Sequence, residues 1–224
     1  MNILVIDTAT EACSVAVKTA NGIYSDFAIC PQEHAVNILP MIQQVLKQAG
    51  LNKGDLDYLG FGRGPGSFTG VRIATGIIQG LALGLDKPVV GISTLASMAN
   101  EAKIRFPTAT KIVSAIDARM SEVYFAQYDI VDDCLHLCGE ERVLPPSEAL
   151  AELPTSAFHR VGTGWQAYPE LEGEIAPEIT LPNAKYMLDL AEQAIANGEA
   201  VAVGDIQPHY IRDKVTWKKL PGRE

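Results

Sequence analysis

Residues 2–17, NILVIDTATEACSVAV, read as an apolar strand ending in Ile-Asp, a short turn, and a strand in which Cys13, Val15 and Val17 alternate with smaller or polar neighbours. The same plan returns at 111–130, KIVSAIDARMSEVYFAQYDI, with Asp117 in the place of Asp7. Two copies of one supersecondary plan predict a duplicated α/β fold, the second copy reduced.

The elements around each copy follow from turn and periodicity signals. Asn21-Gly22 is a two-residue hairpin signal, so 23–30 returns as a third antiparallel strand. Over 32–49 the apolar residues Ile38, Leu39, Ile42, Val45 and Leu46 fall at helical spacing, Gly50 supplies the stop, and Pro40 predicts a kink or a late start. A strand at 57–62, a helix ending near Gly84, a strand at 88–92 and a helix capped by Ser93 or Thr94 complete a βββαβαβα half. Strands near 134–143 and 157–161 and helices near 147–152 and 183–197 make the shorter half. Arg105-Phe106-Pro107-Thr108 is the expected boundary, giving subdomains 1–106 and 107–224, with the tail free to pack back on the first.

A chain of 224 residues with 47% hydrophobic content has ample material for a core. Its net charge of -9 argues against unaided binding of a polyanion, because phosphate contacts need Lys and Arg to release counterions. The opening MNILVID reaches Asp7 without a basic leader, which predicts a cytoplasmic protein with no signal peptide and no membrane span. Cys13, Cys30, Cys134 and Cys138 form no C-x-x-C pair and read as free thiols rather than as zinc ligands.

The phrase GPGSFTGVR at 64–72 resembles the signature of the bacterial TsaB (YeaZ-like) family, a non-catalytic subunit of the machinery that makes threonylcarbamoyladenosine in tRNA. The resemblance extends to Asp7-Thr-Ala-Thr, to His34, to Asp117-Ala-Arg followed by Glu122-Val-Tyr, and to Pro208-His-Tyr-Ile-Arg. Two positions depart from it: Ala74 stands where the family usually has Gly, and Met120-Ser121 where it has Arg-Gly. The resemblance implies the duplicated actin-like (RNase H-like, ASKHA) fold of actin, sugar kinases and Hsp70-type ATPases. It implies a scaffold that activates a TsaD-like catalytic homologue, which transfers a threonylcarbamoyl group to N6 of adenosine 37 in tRNAs reading ANN codons. A TsaE-like ATPase is the implied third protein, a homodimer the state of the chain alone, and tRNA a ligand only of the complex.

The residues themselves point away from catalysis. Asp7, Asp117 and the Gly162-Thr-Gly164 turn are where this fold would hold a nucleotide, yet the turns after both acids lack the glycines that let backbone N–H groups reach phosphate oxygens. No Walker-type lysine follows Gly64, which predicts a vestigial site without cofactor. His34, His136, His159 and His209 stand alone, whereas catalytic members of the wider superfamily carry His-x-x-x-His on a helix, so no metal is expected. The competing readings are a small ATP-dependent kinase of the same fold and a glycoprotease-like peptidase. The missing phosphate-loop glycines weigh against the first. Against the second, Ser67 and Thr69 have no neighbouring base and the motif is not a G-x-S-x-G elbow.

The glycine-rich phrase opens a helix in which only Arg72, Thr75 and Gln79 are polar between Gly70 and Leu85. Such a helix must be covered on almost all sides. Gly76, Gly80 and Gly84 recur along one stripe, where each costs about 1 kcal/mol of helix propensity relative to alanine. The expected partner surface is Ile73, Ala74, Ile77, Ile78, Gly80, Leu81 and Gly84, joined by Ile38, Ile42 and Leu46 of the preceding helix. Tight packing of the two helices on each other would use the same glycines. Gly64-Pro-Gly66 reads as a sharp turn with Ser67 or Thr69 as cap, and an anion at that helix start is a further option. The basic tail, 214–224 with Trp217, reads as a solvated segment or as a tRNA contact within a complex.

Overall fold

Every residue of β1 (Ile3–Asp7) is buried, and a strand apolar on both faces has to lie inside a sheet covered on both sides. It does so in a computed structural model that describes residues 1–173 and 176–212; the basic tail lies outside the described residues. β1 pairs antiparallel with β2 (Ala12–Thr19), which pairs antiparallel with β3 (Gly22–Ile29). On its other side β1 runs parallel to β4 (Tyr58–Gly64), followed by β5 (Val89–Ser93), for an order β3-β2-β1-β4-β5. The hairpin register pairs Thr19 with Gly22, so the turn residues are Ala20 and Asn21, and Gly22 opens β3 at φ 145°.

The second sheet repeats this order with one strand fewer. β6 (Lys111–Asp117), β7 (Val123–Val131), β8 (Cys134–Leu144) and β9 (His159–Val161) lie in the order β8-β7-β6-β9, with β6 and β9 parallel. The molecule is thus a duplicated α/β protein of the actin-like class.

Side-chain alternation along the strands assigns each helix to a face. Leu4, Ile6, Cys13 and Val15 of the first sheet pack against α1 (His34–Gln48) and α2 (Phe68–Leu85). Pro40 lies inside α1 without ending it; the carbonyl it deprives of a hydrogen bond belongs to Val36, which is 75% exposed and open to water. In the second sheet, Val113, Ala115 and Phe125 pack against α4 (Pro146–Ala151) and the single turn α5 (Gly164–Ala167), which had no clear sequence signal.

The remaining faces are covered crosswise. α3 (Thr94–Arg105), which closes the first half in sequence, buries Leu95, Met98, Ala99 and Ala102 against Ile112, Ile116 and Tyr128 of the second sheet. α6 (Leu188–Ala196) and the 3-10 turn before it, 184–187, bury Ala184, Met187, Leu188 and Ala191 against Ile3, Val5, Val90 and Ile92 of the first. The segment 183–197, expected to complete the second copy, therefore completes the first.

The alternation also corrects the match between the two acids. Asp7 shares its face with Ile3 and Val5, beneath α6, whereas Asp117 shares its face with Val113 and Ala115, beneath α4 and α5. The Ile-Asp repeat is one residue out of phase with the structural repeat, and a slip of one residue turns a side chain to the opposite face.

The turn after Asp117 carries backbone strain. Arg119, Met120 and Ser121 have φ values of 61°, 56° and 59°, three consecutive left-handed residues without a glycine among them. A residue with Cβ loses about 1 kcal/mol in this region relative to glycine. Ser121→Gly is expected to stabilise the protein by up to about 0.5 kcal/mol after the larger entropy of the unfolded glycine is counted, checked by urea denaturation.

Candidate functional site

The glycines of 62–84 separate into two groups by what surrounds them. A Cβ on Gly62 would lie 1.8 Å from Oδ2 of Asp7, one on Gly66 2.3 Å from the Ala9 carbonyl oxygen, and one on Gly70 2.0 Å from that of Thr8. Gly62 of β4 admits the Asp7 carboxylate, and Gly66 and Gly70 admit the turn after β1 against the start of α2. The contact is sealed by hydrogen bonds: Ser67 N–H donates to the Ala9 carbonyl at 2.7 Å, and the Thr8 hydroxyl to the Gly70 carbonyl at 2.7 Å. Ser67 is the N-cap, accepting from Gly70 N–H at 3.3 Å. The space in which such a loop could cradle a phosphate is filled by residues 7–9 of the same chain.

Asp7 itself is sealed. It is fully buried, and among the described residues Oδ1 accepts only the Ala9 N–H at 3.3 Å and Oδ2 has no hydrogen-bond partner. Asp117 is committed in a different way. Its carboxylate accepts from the Tyr168 hydroxyl at 2.8 Å and from Arg119 N–H at 2.8 Å, and pairs with the Arg119 guanidinium at 2.9 Å. Burial, together with the hydrogen bond to this carboxylate, pushes the Tyr168 phenol up to about 12. Arg119 also reaches Glu11 at 3.5 Å, so the turns after the two acids are tied to each other. Gly162 and Gly164 are both buried, and a Cβ on them would lie 2.1 and 3.0 Å from the Ala115 carbonyl oxygen. Their glycine character answers to close packing on β6. The four histidines lie apart: His34 is buried in the first turn of α1, His136 is on β8, His159 stacks on Phe106 and His209 is near the C-terminal end.

A strap formed by 206–212 crosses this end of the molecule. Ile206 is buried in the first core, and His209 N–H donates to the Arg63 carbonyl at 2.8 Å. Tyr210 reaches the start of α2, while Arg212 pairs with Glu122 and donates to the Arg119 carbonyl at 3.4 Å. The left-handed turn is thus held from both sides by arginines.

The second group of glycines looks outward. Among the described residues no atom lies within 4 Å of where a Cβ on Gly76, Gly80 or Gly84 would stand, so these glycines pack neither on α1 nor on the sheet. Beside them lie the half-buried Ile73, Ile77 and Leu81 and the exposed Leu83, with Val36 and Leu39 exposed on α1. Five residues expected on this surface are not on it. Ala74, Ile78, Ile38, Ile42 and Leu46 are at most 4% exposed and form the core between the helices and the sheet, because they occupy the inward stripe of each helix. Phe68, Leu83, Val36 and Leu39 were missed; an apolar helix gives no polar stripe by which to tell its outer face. The helix has the length and apolarity of a membrane span, 18 residues at mean hydropathy 1.4, yet it joins two parallel strands and lies along their sheet.

Burial pushes the Asp7 carboxyl up to about 7, with the Ala9 N–H opposing weakly. In the unfolded chain the group loses its proton near 3.8, so the folded state binds the extra proton between these values. The stabilisation is complete below pH 3.8 and is lost as pH rises through about 7. Asp7→Asn removes this dependence; its stability relative to wild type is expected to rise by about 2–3 kcal/mol between pH 5 and pH 8, read by urea denaturation at both values.

Comparison with known proteins places this geometry in a family. Residues 22–219 match the family model described as TsaD, tRNA N6-adenosine threonylcarbamoyltransferase. The chain is 48% identical to the Escherichia coli protein named tRNA threonylcarbamoyladenosine biosynthesis protein TsaB, with all of both chains covered. It is 43% identical to the Haemophilus influenzae protein of the same name, over 100% of this chain and 99% of that one. YeaZ from Pseudomonas aeruginosa superposes with a TM-score of 0.84 at 40% identity, covering 93% of this chain and 99% of that chain. The outward glycine stripe and the filled turns after Asp7 and Asp117 are therefore features of a chain that belongs to the TsaB (YeaZ) family of tRNA threonylcarbamoyladenosine biosynthesis proteins.

Proposed function

We propose that this chain is a non-catalytic, cytoplasmic subunit that docks the TsaD-type transferase through the outer face of α1 and α2 and activates threonylcarbamoyl transfer to N6 of adenosine 37 in tRNAs reading ANN codons. The observation that carries the reading is the division of labour among the glycines. The phosphate-loop position is filled by Asp7–Ala9, while the glycines facing outward leave an apolar helix open to close approach by another helix. A catalytic homologue built on the same plan would present an equivalent helix pair, and two copies of this chain could use the same face as a homodimer. A TsaE-type ATPase is the third component, and tRNA reaches the net-negative chain only through the assembly.

The isolated chain is expected to show no ATPase, kinase or peptidase turnover. Metal-dependent ATP hydrolysis lost in Asp7→Asn would overturn the non-catalytic reading. Gly80→Leu places a side chain in open space, so the monomer should keep its fold and gain up to about 1 kcal/mol of helix propensity. The same change should block close helix approach. Ile77→Asp should leave a charge against apolar surface. Both variants are expected to lose complex formation with the TsaD-type subunit by size-exclusion chromatography, and tRNA modification with it, while circular dichroism stays native. Unchanged association in folded variants would place the interface elsewhere.

A further inference from the structure

We propose that Arg72 is a preorganised anchor for a carboxylate of the partner subunit at the N-terminal edge of the α2 face; this rests on reading that face as the docking surface. Arg72 lies one turn after Phe68, and its Cζ sits 3.5 Å from the centroid of the Phe68 ring. Its Nε donates to the Tyr210 hydroxyl at 2.9 Å, and the Tyr210 ring leans on Phe68 with centroids 5.7 Å apart and planes at 35°. One face of the guanidinium is therefore covered and its inner nitrogen is used. What remains is the pair of terminal nitrogens, the end-on fork that matches a carboxylate.

The surroundings favour that occupant. Acids outnumber Lys and Arg by 27 to 18 in the chain, yet among the described residues Arg72 forms no ion pair. The guanidinium is held by two aromatic residues, Phe68 at 56% and Tyr210 at 44% exposure, and not by an acid of its own fold. Its flexibility has been reduced before any partner arrives, which lessens the entropy lost on forming a fork. Ile73, Gly76 and Ile77 beside it are apolar, so covering this face would strengthen the ion pair by excluding water. The strap brings Tyr210 to α2, so the end of the chain contributes to a surface built from its first half.

The test measures affinity for the purified TsaD-type subunit by calorimetry, with Gly80→Leu as control for the face. Arg72→Gln is expected to weaken binding by about tenfold or more and to flatten its dependence on ionic strength between about 0.05 and 0.5 M. Arg72→Lys keeps the charge but loses the fork, and should recover only part of the affinity. Tyr210→Phe keeps the stacking and removes the hydroxyl; a several-fold loss is expected. A structural role for Arg72 alone would change the melting temperature without changing the salt dependence, and that result overturns the proposal. If Gly80→Leu abolishes binding while the Arg72 variants bind as wild type, the anchor is refuted and the docking face stands. If neither matters, both fail. If the Arg72 variants keep subunit affinity but weaken tRNA binding by the assembled complex, the ligand is a phosphate and the carboxylate proposal is wrong.

Discussion

Each sheet of this protein has two apolar faces and receives helices for only one of them from its own stretch of chain. The first sheet must bury Ile3, Val5, Val90 and Ile92, and the helix that covers them comes from 188–196. The second must bury Ile112, Ile116 and Tyr128, and the covering helix comes from 94–105. Every other feature depends on this reciprocal loan, because an uncovered sheet face of that composition is not stable in water. The chain crosses between sheets at 93–94 and again through 180–187, and hydrogen bonds tie these crossings together, although Asn100 Oδ1 is buried without a partner among the described residues. Ser97 and Asn100 of α3 donate to the Asn183 and Tyr186 carbonyls, and Ser14 of β2 accepts from Ala184 N–H. A cut near residue 106 divides the sequence without dividing the packing.

The same close packing extends to the turns after Asp7 and Asp117, where the sequence predicts a vestigial nucleotide site. Turns after the first strand of each copy need backbone N–H groups free to face a ligand. Here the turn after β1 is pressed onto the start of α2 at Gly66 and Gly70, and the turn after β6 is held in three left-handed residues by Arg119 and Arg212. In these turns the Ala9 and Arg119 N–H groups are taken by the carboxylates of Asp7 and Asp117, and the Arg119–Glu11 pair joins one turn to the other. Asp7 survives as a buried acid with one unpartnered oxygen, a destabilising feature at neutral pH that side-chain packing alone does not require.

Much of the fold was legible because strands and helices differ in period. The Ile-Asp repeat identified the duplication, Asn21-Gly22 the hairpin region, and Ser67 or Thr69 and Ser93 or Thr94 the helix starts, of which the structure uses Ser67 and Ser93 as caps. What sequence could not supply was phase and partner. A match of Ile116-Asp117 to Ile6-Asp7 looks perfect in letters, yet alternation in a strand makes a one-residue slip invisible until the helices are placed. Helix 188–196 has an apolar stripe that fits either sheet, and only the three-dimensional path decides between them. In α2 the apolar residues surround the helix, so Ala74 and Ile78 could not be told from Ile73 and Ile77 by composition. The Arg72–Tyr210 contact joins residues remote in sequence and leaves no local signal.

The glycine stripe shows why packing needs and binding needs can be separated within one helix. Gly70 is fixed by the chain's own turn, since a methyl group there would lie 2.0 Å from the Thr8 carbonyl oxygen. No contact among the described residues requires Gly76, Gly80 or Gly84, and each lowers helix stability by about 1 kcal/mol relative to alanine. A destabilising residue without a contact among the described residues, repeated on one face beside exposed Leu83 and half-buried Ile77, is what the proposed docking face would account for. Glycine at those positions removes side-chain bulk from the centre of the face, whereas Phe68, Arg72 and Tyr210 build relief at its edge. A flat apolar centre with a charged, aromatic rim follows the anatomy of protein interfaces, in which the centre excludes water and the rim sets orientation.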